Sequence, residues 1–404
     1  MKHKQFGIHG AGNKYGIFFM GKKKTKMSVK ETSVDRDAED KGSDQKRLFT
    51  IRTRIDKIDK KILDFLNQRA GLCKEVGTIK SASKDTVFKP FREKEILNHL
   101  IDNNPGTLPD DHLRAIYREI LSSSRKLQQP QKVVYLGPEG TFSFFVGIEY
   151  LGHSADMKPC KCLKDVFHAV ACREAELGII PLENSLQGSV GQCLDMFLAY
   201  DVYIQAEVFC KISHSLLSSE NSVTGLHTVY SHPQALEQCS GWLRSHLPEV
   251  TIVPAESTSA AARKVIKEKG SAAIGHERLG KMLGLNVLYR QIEDLPDNWT
   301  RFMIIGSIPP EGGHQDKTSL LFTLPDKSGA LVGVLTVLAR RGINMKKLES
   351  RPLRSEKWKY VFFADLECDL SGTQYDELKK ELSERCHSLQ ILGSYPAGPY
   401  LTDL

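Results

Sequence analysis

Ile292-Glu-Asp-Leu-Pro-Asp-Asn-Trp-Thr-Arg-Phe302 runs directly into the apolar Met303-Ile-Ile305. The stretch gathers carboxylates, an amide, a hydroxyl and a guanidinium at the entry of a strand, a common way of building a binding cleft. Outward from it, short β-branched runs alternate with helical stretches: Val133-Val-Tyr-Leu136, Leu177-Gly-Ile-Ile180, Val229-Tyr230, Thr251-Ile-Val253 and Ala272-Ala-Ile274. That alternation predicts an α/β domain over 132–308 with a mainly parallel sheet. Four polar motifs follow strands: Gly137-Pro-Glu-Gly-Thr-Phe-Ser143, Pro181-Leu-Glu-Asn-Ser-Leu-Gln-Gly-Ser189, Ser231-His-Pro-Gln234 and Glu256-Ser-Thr-Ser259. Each alone reads most simply as a helix cap. Four in one domain point to a shared cleft, and N–H groups at helix N-termini suit a carboxylate ligand.

The 404 residues are enough for two or three domains, and 40% hydrophobic with 26% charged residues is an ordinary globular composition. No run of 18 apolar residues occurs, so no membrane span is expected. The net charge is +7, and residues 1–30 alone carry eight lysines and no acid. Residues 1–46 read as a disordered basic leader, with Met27 as an alternative start. The rest shows no basic stripe, so no nucleic-acid partner is expected. Of nine cysteines, Cys160-Lys-Cys162 is the only close pair, and no second pair completes a metal site. The expectation is reduced thiols, a cytoplasmic protein, no metal and no cofactor.

Residues 47–128 read as an all-α domain. Ile51, Ile58, Phe65, Leu72 and Ile79 recur every seven residues, with Ile55, Ile62 and Val76 between them. They predict one amphipathic helix of about 30 residues, or about 45 Å. Further helices are expected from near Phe91 and over about 110–128. Arg69 stands where this pattern demands an apolar residue, and burying an unpaired charge costs several kcal/mol. It must snorkel, pair with an acid, or line an anion pocket. On the third helix the apolar stripe of Leu113, Tyr117 and Ile120 continues as Ser124 and Gln128. Polar groups at core positions on two helices favour the pocket. Two linkers, Gln128–Gln131 and Glu311–Asp316, bracket the α/β part. After the second, residues 317–396 read as strand, helix, strand, strand, helix, strand, the α+β ferredoxin-like plan.

On these residues the chain resembles the bifunctional chorismate mutase/prephenate dehydratases (P-proteins) with a C-terminal ACT regulatory domain. The mutase likeness rests on Ile51-Arg-Thr-Arg-Ile-Asp-Lys-Ile-Asp59, Arg69, Glu75-Val-Gly-Thr-Ile-Lys80 and Arg92-Glu93. The dehydratase likeness rests on the four cleft motifs and Thr300-Arg301-Phe302. The ACT likeness rests on Gly329-Ala-Leu-Val332 and Glu349-Ser-Arg-Pro352. The resemblance implies a multidomain protein whose α/β domain has two lobes, like type II periplasmic binding proteins. It implies that Arg52, Arg69 and Arg92 hold the carboxylates of chorismate. Lys80 and Gln128 would bond the ether oxygen, Glu93 would take the ring hydroxyl, and Ser124 would support a carboxylate. In the dehydratase it makes Thr300 the key catalytic hydroxyl and gives Arg301 a part in binding prephenate or ordering the site. Thr141, Glu183, Asn184, Ser185, Ser231 and Gln234 would line the cleft. In the ACT domain, Gly329, Ala330, Leu331, Val332, Glu349, Ser350, Arg351 and Pro352 would bind phenylalanine as a feedback inhibitor. Two departures stand out. Lys89 replaces an aspartate that some relatives carry, and Leu186-Gln187 replaces the more usual Thr-Glu.

The chemistry suits these residue types. A Claisen rearrangement is intramolecular, so catalysis is a matter of holding a compact conformer and stabilising charge on the departing ether oxygen. Arg52 and Arg69 are about 25 Å apart along one helix, so one small substrate could hardly touch both. An intertwined dimer that supplies Arg52 from its partner resolves this, and a homodimer or homotetramer is expected. Two other readings remain open: arogenate as the dehydratase substrate, or a non-catalytic amino-acid sensor.

Overall fold

The computed structural model describes residues 34–83, 87–310, 316–353 and 359–402. It divides into two compact units, 1–68 and 69–404. The first contains most of one helix that runs Val34–Ser83, 50 residues long. It begins well before Ile51, over residues whose charge suggested no structure. Once a helix is nucleated, each added residue gains a hydrogen bond at little cost, so a charged, helix-compatible stretch extends it. Residues 1–33 of the expected leader lie outside the described residues. Along this helix Ile51, Ile55, Ile58, Ile62 and Phe65 are each at least 42% exposed.

In the second unit, Pro90–Asp102 and Asp110–Gln128 form the remaining helices of the all-α part. Gly77 sits where a Cβ would lie 2.8 Å from Gln128 Cα and 2.9 Å from its carbonyl oxygen. The long helix and the Asp110–Gln128 helix therefore touch backbone to backbone at this point. Gly77→Ala should destabilise the helical part by about 1–3 kcal/mol through overpacking. A thermal melt should record that loss, and unchanged stability would refute the close contact.

The α/β part has two sheets. The first orders its strands Tyr400–Leu401, Tyr203–Lys211, Trp299–Gly306, Leu177–Asn184, Lys132–Leu136 and Asp156–Cys160. The second orders Asn286–Tyr289, Ser215–Ser218, Ser271–Gly275, Thr228–Ser231 and Thr251–Pro254. Both are mixed, which corrects the expectation of a mainly parallel sheet. Trp299–Gly306 is antiparallel to both its neighbours, and Ser215–Ser218 to both of its own. The cause is the two-lobe path: a strand that crosses between lobes arrives from the opposite side and runs against those already there.

The last part is the expected βαββαβ unit, with strands Lys317–Thr323, Met345–Pro352, Tyr360–Leu366 and Ser388–Tyr395, all paired antiparallel. Helices Ala330–Arg340 and Asp376–Arg385 cover one face through Leu320, Val334, Val337, Ala364, Leu378 and Leu382. The other face packs onto the first sheet: Leu321, Val361, Phe363 and Leu392 share a core with Ile180, Ile204, Met303 and Ile305. At Gly393 (φ +149°) a Cβ would meet the Ile204 carbonyl oxygen at 2.3 Å, so only glycine admits this approach.

Candidate active sites

Strand register organises the cleft. Thr300 pairs with Asn184 and Arg301 with Glu183. Side chains alternate along a strand, so Thr300 and Asn184 emerge on one face while Arg301 and Glu183 emerge on the other. The first face looks into a cavity of about 560 Å³ between the lobes, with Thr141, Phe142, Asn184, His214, Gln234 and Thr300 in its wall. Asn184 Nδ2 donates to Thr300 Oγ1 at 3.0 Å and to Asn298 Oδ1 at 2.7 Å. Its own Oδ1 accepts from the Leu186 and Gln187 amides at 3.1 and 3.2 Å. The threonine oxygen is thus held as an acceptor, which leaves its proton for a ligand. Gln234 donates from one lobe to the Gln187 side chain on the other. The departure at Gln187 therefore supplies a neutral amide to a contact across the mouth of the cleft.

Four expected cleft residues are placed elsewhere. Ser231 is fully buried and donates to the Ile274 carbonyl at 2.7 Å, tying two strands together. Ser185 accepts from the Trp299 amide at 2.9 Å and so fixes the loop before Thr300. Glu183 pairs with Lys347 of the ferredoxin-like part at 2.8 Å. Arg301 is buried among Glu207, Asp365 and Tyr395. Period-two alternation explains the last two: neighbours of cleft residues must face away from the cleft. Of the two roles that the resemblance gives Arg301, its placement fits ordering the site.

Sequence reading gave no role to three histidines: His214 and His232 line the cleft, and His276 packs against Phe142 of its wall. His276 and His232 cap helices by accepting from the Arg278 and Gln234 amides. His214 contacts Gln238 Oε1 through Nε2 at 2.9 Å. Burial pushes all three downward, His276 to about 4. A folded histidine that binds protons less readily than its unfolded counterpart, near 6.5, adds stability in full above about pH 6.5. That stability is lost as pH falls toward 4. The wild-type chain should therefore lose stability over this window more steeply than a His276→Asn variant, which keeps a capping acceptor. The difference should be at most roughly 1.4 kcal/mol per pH unit. Denaturant melts at pH 7, 6 and 5 measure it, and equal slopes would refute the role of His276.

In the helical part, Arg69 donates to Ser124 Oγ, which in turn donates to the Ile120 carbonyl at 2.6 Å. Arg69 is thus neither buried unpaired nor matched with an acid; a hydroxyl orients it. Glu93 forms an ion pair with Arg125, a buried residue that sequence reading missed, and Arg125 also donates to the Leu151 carbonyl. The spacing held a signal: Arg125 continues the four-residue series Leu113, Tyr117, Leu121. The Gln128 side-chain oxygen is buried and without a hydrogen-bond partner among the described residues. Lys80 lines a cavity of about 560 Å³ with Phe88, Gln129 and Arg173. Arg92 is not drawn to these groups; it lies exposed and pairs with Glu95 at 3.3 Å. Lys89 precedes the Pro90–Asp102 helix. Arg52 is exposed, in the first unit.

In the ferredoxin-like part, Gly329 caps its helix with φ +79°. A cavity of about 680 Å³ is lined by Gly329, Ala330, Leu331 and Val332 together with Tyr360 and His387. The second expected effector motif does not join it within one chain. Ser350 and Pro352 lie on the outer side of their strand, while Glu349 and Arg351 turn toward the α/β part. There Glu349 accepts from Ser189, and Arg351 stands 3.9 Å from Asp195.

Among the described residues no helix is long and apolar enough to cross a membrane, and no group of histidine, cysteine or acidic residues is arranged to hold a metal. All nine cysteines are free thiols. Family models match in chain order: chorismate mutase type II over 51–129, prephenate dehydratase over 133–309 and the ACT domain over 318–383. A bifunctional chorismate mutase/prephenate dehydratase of Aquifex aeolicus is 40% identical over 353 residues, covering 86% of this chain and 98% of that one. A prephenate dehydratase of Arthrobacter aurescens, solved in complex with L-Phe, superposes with a TM-score of 0.60 at 29% identity, over 66% of this chain and 90% of that one. A structure described as GqqA, a quorum-quenching acylase, gives 0.60 and 29% over 67% and 99%. With its three domains in this order and this likeness over nearly its whole length, the chain belongs to the bifunctional chorismate mutase/prephenate dehydratase family.

Proposed function

We propose that the helical part rearranges chorismate to prephenate and that the cleft converts prephenate to phenylpyruvate, with loss of water and carbon dioxide. The observation that carries the dehydratase reading is the Asn184–Thr300 hydrogen bond at the cavity wall. Carbon dioxide leaves the ring carbon, its bonding electrons enter the ring, and the ring hydroxyl departs as water with a proton drawn from solvent. A threonine hydroxyl is too weak an acid to be the final proton source. It donates a hydrogen bond to the departing oxygen and holds it in place, while aromatisation drives the step.

In the mutase reading, Arg69 and Ser124 hold one carboxylate, and Lys80, Gln128 and Glu93 surround the reacting ether and ring hydroxyl. Arg52 contributes from a second copy, and Arg92 exchanges its exposed partner Glu95 for a substrate carboxylate. A second copy also covers the exposed apolar face at Ile51, Ile55, Ile58, Ile62 and Phe65, as long amphipathic helices require. The working form is thus a homodimer or homotetramer, in the reducing cytoplasm. Phenylalanine binds at the Gly329–Val332 cavity, with the Glu349–Pro352 motif contributed across subunits, and inhibits the dehydratase.

The test is to supply the purified chain with chorismate and follow both products. Prephenate should appear first, then phenylpyruvate, and added phenylalanine should suppress only the second. Prephenate without phenylpyruvate, with turnover of arogenate instead, would move the cleft to arogenate. No turnover of any of the three would leave an amino-acid sensor.

A further inference from the structure

Behind Thr300, on the face turned away from the cleft, lies a charge cluster that the chemistry above does not use. Arg301 Nε donates to Glu207 Oε2 at 2.8 Å, its Nη2 lies 2.6 Å from the same oxygen, and Nη2 also donates to Tyr395 Oη at 3.1 Å. Its Nη1 pairs with Asp365. Glu207 Oε1 accepts from Lys317 Nζ at 2.7 Å and from the Gly398 amide at 3.2 Å, and Asp365 accepts from Ser319. Glu207 is 0%, Asp365 1% and Arg301 6% exposed. Two cations, Arg301 and Lys317, balance two anions, Glu207 and Asp365, and Arg301 Nη1 also stands 3.9 Å from Glu183. Buried charges persist only when paired and hydrogen-bonded, so each member holds the others in one geometry.

The cluster is shared between domains. Arg301 and Glu207 belong to the dehydratase sheet; Lys317, Ser319, Asp365 and Tyr395 belong to the ACT domain, and Gly398 to the segment after it. A second rung lies beside it. Glu183, which pairs with Arg301 in the strand register, accepts Lys347 at 2.8 Å. Lys347 also stands 3.3 Å from Glu349 and donates to Ser189 at 2.6 Å. Thr300 and Asn184 are the backbone neighbours of Arg301 and Glu183, so any shift of the rear pair moves the front pair.

We infer that Asp365, Glu207 and Lys347 are positioning residues of the dehydratase site, and that the ACT domain sets the spacing of Asn184 and Thr300 through them. The two rungs give effector binding a direct mechanical route to the cleft. A displacement of the Met345–Pro352 strand pulls on Glu183, and a displacement of Tyr360–Leu366 pulls on Arg301. This rests on the reading of Thr300 as the catalytic hydroxyl.

The test uses the full chain with Asp365→Asn and, separately, Lys347→Gln. Asp365→Asn keeps shape and removes one charge of the balanced four; Lys347→Gln opens the second rung at a less buried site. The mutase rate of each variant reports folding on the same chain and should match wild type. The dehydratase kcat with Asp365→Asn should fall about fivefold with little change in KM for prephenate, since alignment and not binding is disturbed. In both variants half-inhibition should require at least about fivefold more phenylalanine. A merely structural role would lower all activities together and leave that midpoint in place. If Asp365→Asn also loses mutase activity, Lys347→Gln decides, and an unmoved midpoint there overturns the inference. Wild-type kcat and midpoint in both variants would overturn it as well. A wild-type chain without dehydratase activity, or a Thr300→Ala chain that keeps it, would instead overturn the reading beneath.

Discussion

Thr300→Ala should lower the dehydratase kcat by roughly 10²–10³-fold, the usual effect of removing one preorganised donor from a developing charge. Conversion of chorismate to prephenate should be unaffected. Thr300 is 9% exposed and its oxygen already accepts from Asn184, so its proton is left to meet the departing oxygen. The substitution removes a hydroxyl and a methyl from a strand held on both sides by backbone pairing, so the fold has little reason to change. Thr300→Ser keeps the donor but frees its rotation, and should retain part of the activity. Steady-state assays with prephenate give the number. A Thr300→Ala rate within twofold of wild type would remove Thr300 from the chemistry.

Arg69→Ala should lower the mutase rate by roughly 10²-fold or more, since a guanidinium aimed at substrate charge in a partly dry site is among the strongest donors available. Prephenate supplied directly should still be converted at the wild-type rate. The loss should not come from unfolding. Arg69 is half-buried and bonds to the Ser124 hydroxyl without neutralising any acid, so its removal orphans no buried charge. Arg69→Lys should recover little, because a point charge does not reproduce the fork that meets both Ser124 and a carboxylate. An assay from chorismate with a circular dichroism control separates lost chemistry from lost fold.

Much of this was legible in the sequence because it rests on local periodicity. The heptad of the long helix, the βαββαβ order and the strand before each cleft motif all show at short range. The long helix begins earlier than expected because propagation depends on an existing helix and not on an apolar stripe. Asp156–Cys160 escaped because it is a largely exposed edge strand with a proline and no alternation. The mixed sheets follow from a path between lobes that no window of sequence contains.

For the sites, Thr300, Asn184, Arg69 and Ser124 were readable as residue types, and the fold brings each pair together. What motif reading could not supply was direction. Ser231 and Arg301 belong to the right motifs but face away from the cleft, and strand alternation alone would have separated Arg301 from Thr300. Glu207 and Asp365 are charges inside apolar strands, a sign of a buried partner whose identity lies 94 and 64 residues away in Arg301.

Two separable active sites on one chain, one in the helical part and one in the cleft, should complement each other between variants. The most direct measurement mixes equal amounts of Thr300→Ala and Arg69→Ala chains, adds chorismate, and follows phenylpyruvate. Almost none should form from either protein alone and steady formation should come from the mixture, as prephenate released by one chain is consumed by the other. Absence of phenylpyruvate from the mixture, while each variant keeps its own remaining activity, would contradict two separable sites.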